Sequence, residues 1–209
     1  ASIATKVKQF DPILTWSQQI ASDRIVPFPS LHPDDPAAAS HVAVIADHGF
    51  KGIKLHPYYQ DFTLDEERLF PIYDAMQRSG LVLLCHTGFD IAYPRIRICD
   101  PEKIVRIRKL FPELTLVCAH LGAWEDWDEV ERLLVGTQTF IEISYSLQWI
   151  GLDRARKFIQ HHPVDYMLFG TDSPWDDQEE ALKTFHSLNL SAAHERAILW
   201  DNAHRLLSS

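Results

Sequence analysis

Leu81-Val82-Leu83-Leu84-Cys85-His86-Thr87-Gly88 is an unbroken apolar run that closes on a histidine and then a glycine. Without polar alternation, a run of this length reads as a strand buried on both faces, as in a parallel sheet covered by helices. Polarity begins only at His86, at the strand's end, and Gly88 lets the chain turn away at once. The design recurs in Leu114-Thr115-Leu116-Val117-Cys118-Ala119-His120-Leu121-Gly122 and in Tyr166-Met167-Leu168-Phe169-Gly170-Thr171-Asp172-Ser173-Pro174. Lys51-Gly52-Ile53-Lys54-Leu55-His56-Pro57 and the stretch from Ile25 to Pro33, which contains His32, follow it more loosely.

A histidine at one strand end is ordinarily a partly exposed loop residue. Six strand ends are predicted below. With 11 His in 209 residues, short windows at those ends would hold about one His by chance; four are present, and a fifth end carries Asp172. Parallel strands present their C-terminal ends on one side of a sheet, so these groups are expected to converge.

Around these runs the remaining sequence alternates strand with helix. Helices are predicted over residues 8–22, 34–47, 65–79, 100–111, 126–135, 153–161, 177–188, 192–199 and 202–207. Strands are predicted over 24–31, irregular or at an edge because of Pro27 and Pro29, and over 51–56, 81–86, 114–120, 139–146 and 165–170, with residues 2–5 as a stub. Such βα alternation suits a barrel or a doubly wound open sheet. Reactive groups at nearly every strand end favour the barrel, because an open sheet concentrates its site at one switch point. A closed (β/α)8 barrel needs eight strands and about 250 residues. The expectation is therefore a TIM-type (β/α)8 barrel that is incomplete, with about six strands plus a stub and the first strand missing. Residues 1–209 would form this single, N-terminally truncated domain, whose open strand edges favour self-association into a homo-oligomer.

Bulk properties narrow the function. The chain is 46% hydrophobic and 23% charged, ordinary for a globular domain, and its net charge of −9 argues against a general nucleic-acid binder. Cys85, Cys99 and Cys118 are odd in number and lack CxxC spacing, which speaks against a disulfide framework. No apolar segment approaches a membrane span and no leader-type run opens the chain, so a cytoplasmic protein with a small-molecule substrate is expected.

Strand alternation groups His86 with Leu84 and Val82, His120 with Cys118 and Leu116, and Asp172 with Gly170 and Leu168, all facing inward. Lys54 and His56 share a face, as do Glu142 and Ser144. Histidine with carboxylate suits a zinc-type divalent ion, and an unligated second histidine suits proton transfer near neutral pH. There is no HExxH, GxSxG or glycine-rich phosphate loop. Blander readings stand beside these: His56 as a loop hydrogen-bonder before Pro57, Lys54 as an ion-pair partner, Trp124 and Trp127 as core.

The series GFKGIKLHP (49–57), LLCHTG (83–88), VCAHLGA (117–123), FGTDSPW (169–175) and NAHRLL (202–207) resembles the amidohydrolase-related metal-dependent hydrolases, the branch that includes the aminocarboxymuconate-semialdehyde-type decarboxylases. The motifs are collinear across the whole chain. The resemblance implies a distorted (β/α)8 barrel with one divalent metal ion, zinc being expected. It implies His86 and Asp172 as metal ligands, His120 as acid/base with Asp172 beside it, and His56 and Trp175 at the substrate. The family's HxH at the first strand has no counterpart here, so two ligands remain and a weakly held ion is expected. The leading expectation is hydrolysis of a small carboxylate, lactone or amide through activated water. The alternatives are non-oxidative decarboxylation on the same scaffold, or a non-catalytic binding module.

Overall fold

The computed structural model describes residues 1–208. Among them five short strands form one all-parallel sheet in chain order: β1 (Gly52–Leu55), β2 (Val82–Cys85), β3 (Leu116–Cys118), β4 (Phe140–Glu142) and β5 (Met167–Leu168). The register aligns Leu55, Cys85, Cys118, Ile141 and Met167 in one row across the sheet. Every member of that row is fully buried beneath the helices. The offset row Lys54, Leu84, Val117 and Phe140 faces the other way, toward the barrel interior.

Amphipathic helices cover the outer row because their apolar residues recur at helical spacing. Phe70–Arg78 buries Ile72, Tyr73 and Met76, and Pro101–Leu110 buries Ile104 and Ile107 behind an Asp100 N-cap. Leu152–His161 buries Phe158 and Ile159. On the inner face Val82, Val117 and Leu168 make a smaller cluster with Phe28, Phe140, Ala203 and Leu206. The terminal helix Asn202–Ser208 therefore packs against the N-terminal end of the interior. Asn202 anchors it by donating from its side-chain amide to Val164 O (2.7 Å) and Met167 O (2.8 Å), which explains the asparagine of the NAHRLL motif.

Of the six predicted strands, residues 24–31 do not form one. Pro27 and Pro29 supply no N–H, so no ladder can propagate. What survives toward β1 is Lys54 N–H donating to Pro29 O at 2.9 Å and Ser30 Oγ donating to Lys54 O at 2.7 Å, while Ser2 N–H donates to Phe28 O at 3.0 Å. This irregular segment still flanks β1. At the opposite edge Phe169 N–H donates to Ile198 O (3.1 Å), so neither edge is as bare as strand counting implied. The predicted strand 139–146 stops at Glu142, because the Ser144 N–H turns to the Glu142 carboxylate (2.6 Å) instead of a neighbouring strand. The two predicted C-terminal helices are one continuous element, joined by a π-helical turn at Ala197–Asp201. No helix among the described residues is long and apolar enough to cross a membrane.

Candidate active site

A cavity of about 200 Å³ opens at the C-terminal end of the sheet, lined by Lys54, His56, His86, Asp90, His120 and Asp172, with Tyr59, Phe89, Trp124, Tyr145 and Trp175 among its aromatic walls. All five residues predicted for the site thus border one space. Their settings differ. His56, His86 and His120 are each 6% exposed, whereas Asp172 and Trp175 stand at the solvent-exposed rim.

His86 follows directly from β2. Beyond it Thr87 O accepts from Trp124 N–H (2.8 Å) and Trp124 O accepts from Phe89 N–H (2.9 Å), so the β2–β3 pairing resumes past the strand ends. Gly88 makes this approach possible. Its φ is +90°, and a Cβ there would lie 1.9 Å from Trp124 N. His56 is placed by Gln60, whose carbonyl takes the His56 N–H (2.8 Å) while its amide bridges Ala4 O and Leu31 O.

His120 arrives by a different route from the one alternation indicates. Leu116 and Cys118 point to the outer helices and Val117 to the interior, so a continued strand would carry His120 outward. Instead β3 ends at Cys118, and His120 (φ 58°), Leu121 (φ 56°) and Gly122 (φ 91°) form a left-handed turn that swings the imidazole into the cavity. Left-handed backbone at His and Leu is uncommon and costs energy. The turn is held by Leu121 N–H donating to Glu142 O (2.8 Å) and Ala119 N–H to Cys85 O (3.1 Å).

The rings stack. Tyr59 lies 3.8 Å from His56 and His56 lies 4.1 Å from His86, both near parallel, while His86 meets His120 edge-on at 4.7 Å. Burial, with the Lys54 charge and then His120 adding to it, pulls His56 down to about 2. Burial and Lys54 take His120 to about 3, and burial holds His86 well below its usual value. All three rings are neutral at physiological pH and offer lone pairs.

Asp90 was not anticipated. It sits in the loop after Gly88, where its Oδ1 accepts from Ala92 N–H (2.8 Å) in an Asx-type turn. That leaves Oδ2 3.5 Å from His56 Nε2 and 4.0 Å from His86 Nε2. Ligating atoms of His56, His86 and Asp90 lie within 4.8 Å of one another, the one such group of three among the described residues. Asp172 is outside this trio. Two neutral imidazoles and a carboxylate fit a divalent cation, and three protein ligands match the number at catalytic zinc sites. The fit is uneven: His86 is buttressed by His120, whereas the buried Nδ1 of His56 has no hydrogen-bond partner.

Glu142 and Lys54 complete the interior. Glu142 Oε2 accepts from Ser144 Oγ (2.7 Å), and its carboxylate occupies the space a side chain at Gly170 would need, 2.0 Å from an added Cβ. Burial raises Glu142 to about 7 against the pull of Ser144 and Lys54. The Lys54 ammonium makes no hydrogen bond or ion pair within 4 Å among the described residues, so the ion-pair reading gains no partner; burial lowers its pKa, and Asp172 and Glu142 act on it only through their fields. Glu142 holds its proton above its ordinary value of 4.5 when folded, so on its own it contributes a stability that falls as pH rises from there to about 7, and the raised Asp90 adds in the same sense. His56, His86 and His120 contribute the opposite and larger trend, because they stay neutral when folded and take up protons when unfolded below about 6.5. Urea midpoints should therefore rise from about pH 4.5 to 6.5, and more steeply for Glu142→Gln than for wild type; an identical slope in that variant would contradict the assignment.

Parallel strands delivering histidines and aspartates to one cavity at their C-terminal ends define a TIM-barrel-type enzyme of the kind built for metal-assisted chemistry. The chain belongs to the amidohydrolase family, whose model matches residues 9–208. This is a metal-dependent enzyme family acting on small substrates. A dihydroorotase from Variovorax paradoxus (strain S110) is 28% identical over 136 residues, 54% of this chain and 39% of that relative. The chain thus spans well under half the length of the curated relatives it matches. An uncharacterized TIM-barrel protein from Bordetella bronchiseptica superposes at TM-score 0.71 with 25% identity, over 95% of this chain and 71% of that one. The 5-carboxyvanillate decarboxylase of Sphingomonas paucimobilis gives TM-score 0.71 at 17% identity, over 95% and 70%; at that identity it speaks for the fold.

Proposed function

We propose that residues 1–209 act as one catalytic unit that hydrolyses a small lactone, amide or other carboxylate-bearing substrate with a divalent cation, zinc by preference. The observation that carries this reading is the buried trio of His56, His86 and Asp90 beside a neutral, hydrogen-bonded His120. His86 is the ligand common to the motif-based assignment and the observed cluster; His56 and Asp90 supply the donors that the motifs alone leave wanting. A bound divalent ion supplies Lewis-acid activation of water and of the scissile carbonyl.

The chain's own groups do the rest. His120, neutral at working pH, takes and returns the proton at the reacting centre when its Nε2 exchanges His86 for the substrate. Asp172, across the cavity, orients the attacking water, and its exposed position leaves room for substrate to enter between it and Trp175. Lys54 offers an uncompensated ammonium to a substrate carboxylate. Tyr59, Trp124 and Tyr145 flank the substrate and exclude water. The Variovorax relative, named a dihydroorotase, favours hydrolysis; the structural neighbours named decarboxylases supply the competing reading, in which His120 protonates a carbon that has lost CO₂.

Calorimetric titration with Zn²⁺ tests the site. Wild type is expected to take up one ion per chain, and His86→Ala and Asp90→Asn to weaken uptake by at least about 10-fold. Uptake unaffected by both substitutions would sink the proposed ligand set. A panel of lactones, cyclic amides and aromatic acids, assayed for ring opening and for CO₂ release, separates hydrolysis from decarboxylation.

A further inference from the structure

Two carbonyl oxygens face the paired imidazoles from opposite ends. Ser144 O lies 3.3 Å from His120 Nδ1, Phe89 O lies 3.1 Å from His86 Nε2, and the rings meet His120 Nε2 to His86 Nδ1 at 3.0 Å. A carbonyl only accepts, and a neutral imidazole carries one N–H. Two protons must therefore serve three contacts, and the contact between the rings claims one of them. If His120 Nδ1 donates to Ser144 O, then His86 donates from Nδ1 and its Nε2 is a bare lone pair. If His86 Nε2 donates to Phe89 O, then His120 donates from Nε2 and its Nδ1 is bare. The pair has two hydrogen-bond directions, and only the first leaves His86 Nε2, 4.0 Å from Asp90 Oδ2, unprotonated.

A second set of contacts breaks the tie. Ser144 Oγ is 2.7 Å from Glu142 Oε2 and 3.4 Å from His120 Nδ1, with a single hydroxyl proton to give. Given to a carboxylate, that proton makes the stronger, charge-assisted bond, and Ser144 N–H holds the other oxygen at 2.6 Å. The absent side chain of Gly170 leaves the carboxylate room to sit there. Ser144 Oγ then has nothing to offer a bare Nδ1, and His120 must carry its proton on that nitrogen. We propose that Glu142 and Ser144 are positioning residues that set the direction of the His120–His86 chain, keeping His86 Nε2 unprotonated as a donor atom for a divalent cation. This rests on the cation site proposed above. Glu142 touches neither substrate nor ion in this scheme, and the charges that face it are Lys54 from β1 and Asp172 beyond β5.

Glu142→Gln in the full chain is the direct test. The amide NH₂ donates to Ser144 Oγ, turns its hydroxyl onto His120 Nδ1 and reverses the chain. Imidazole ¹⁵N spectra of the cation-free protein at a pH above about 7 are expected to show N–H on Nδ1 of both His120 and His86 in wild type, and on Nε2 of both in the variant. Zn²⁺ affinity is expected to fall by about 10–100-fold with the reversal. Ser144→Ala removes the relay while leaving the carboxylate, so it covers the case in which Glu142→Gln does not fold. Mixed tautomers are expected there, with no further change on adding Glu142→Gln. Tautomers unchanged by Glu142→Gln and Ser144→Ala overturn the inference. Absence of Zn²⁺ uptake by wild type would instead overturn the cation site, and the tautomer measurement would still decide the role of Glu142.

Discussion

His120→Asn is expected to lower turnover by about 10²–10⁴-fold at saturating divalent cation, the usual loss when a general acid/base is removed. The expectation rests on position and protonation together. His120 borders the cavity, is buried, and is held neutral by burial and Lys54. Its Nε2 lies 3.0 Å from His86 rather than among the cation-facing atoms of His56, His86 and Asp90. Asparagine keeps an amide that can hydrogen-bond His86 but cannot carry a proton between water and substrate. Cation affinity should therefore fall far less than turnover, whereas His86→Ala should lose both. The measurement pairs Zn²⁺ calorimetry with turnover of the substrate found in the ring-opening and CO₂ panel. Parallel losses of affinity and turnover in His120→Asn would make His120 a ligand, and the division of roles would have to be redrawn.

The largest effect on folding is expected at Gly88. Alanine there places a Cβ 1.9 Å from Trp124 N, 2.4 Å from Ala123 C and 2.5 Å from Trp124 O, all backbone atoms that cannot swing aside. It also adds a side chain at φ +90°, a region L residues rarely adopt. The clash falls on the contacts Trp124 N–H to Thr87 O and Phe89 N–H to Trp124 O, which carry sheet pairing past the strand ends. Gly88→Ala should cost upward of about 4 kcal/mol, a large share of the roughly 5–15 kcal/mol that typically holds a domain together. Urea denaturation reads this directly. A variant whose midpoint stays near wild type would mean that the two segments separate easily, and that the site is less rigidly framed than the contacts imply.

The sequence showed the architecture wherever burial is two-sided. The runs ending at His86 and near His120 are apolar on both faces because helices cover one side of the sheet and the barrel interior the other, so an unbroken pattern was readable. Residues 24–31 read as an extended segment that Pro27 and Pro29 make irregular or an edge, and the structure keeps them beside β1 without a ladder, because pairing needs donors that the prolines lack. Alternation rightly placed Glu142 and Ser144 together. It failed for His120, since facing is only defined while a strand continues and β3 stops two residues earlier. A non-glycine left-handed turn leaves little mark in composition; Gly122 was its one visible sign. Asp90 was missed for a related reason. It approaches His56 and His86 through a loop whose path depends on Gly88 and on the Asx turn to Ala92, not on any strand register. The spacing of four residues after His86 within HTGFD was its only trace.

The carboxylate of Glu142 fills the space above the α-carbon of Gly170. Positions 142 and 170 therefore share one volume between two strands, and neither can be chosen alone. Enlarging position 170 evicts the carboxylate, and shortening position 142 opens a void that a larger residue at 170 can refill. Substitutions at these two sites should be non-additive in a double-mutant cycle. Relatives that have drifted apart in sequence are expected to exchange bulk between the two positions as a correlated pair, so that covariation records a contact the single sequence does not reveal.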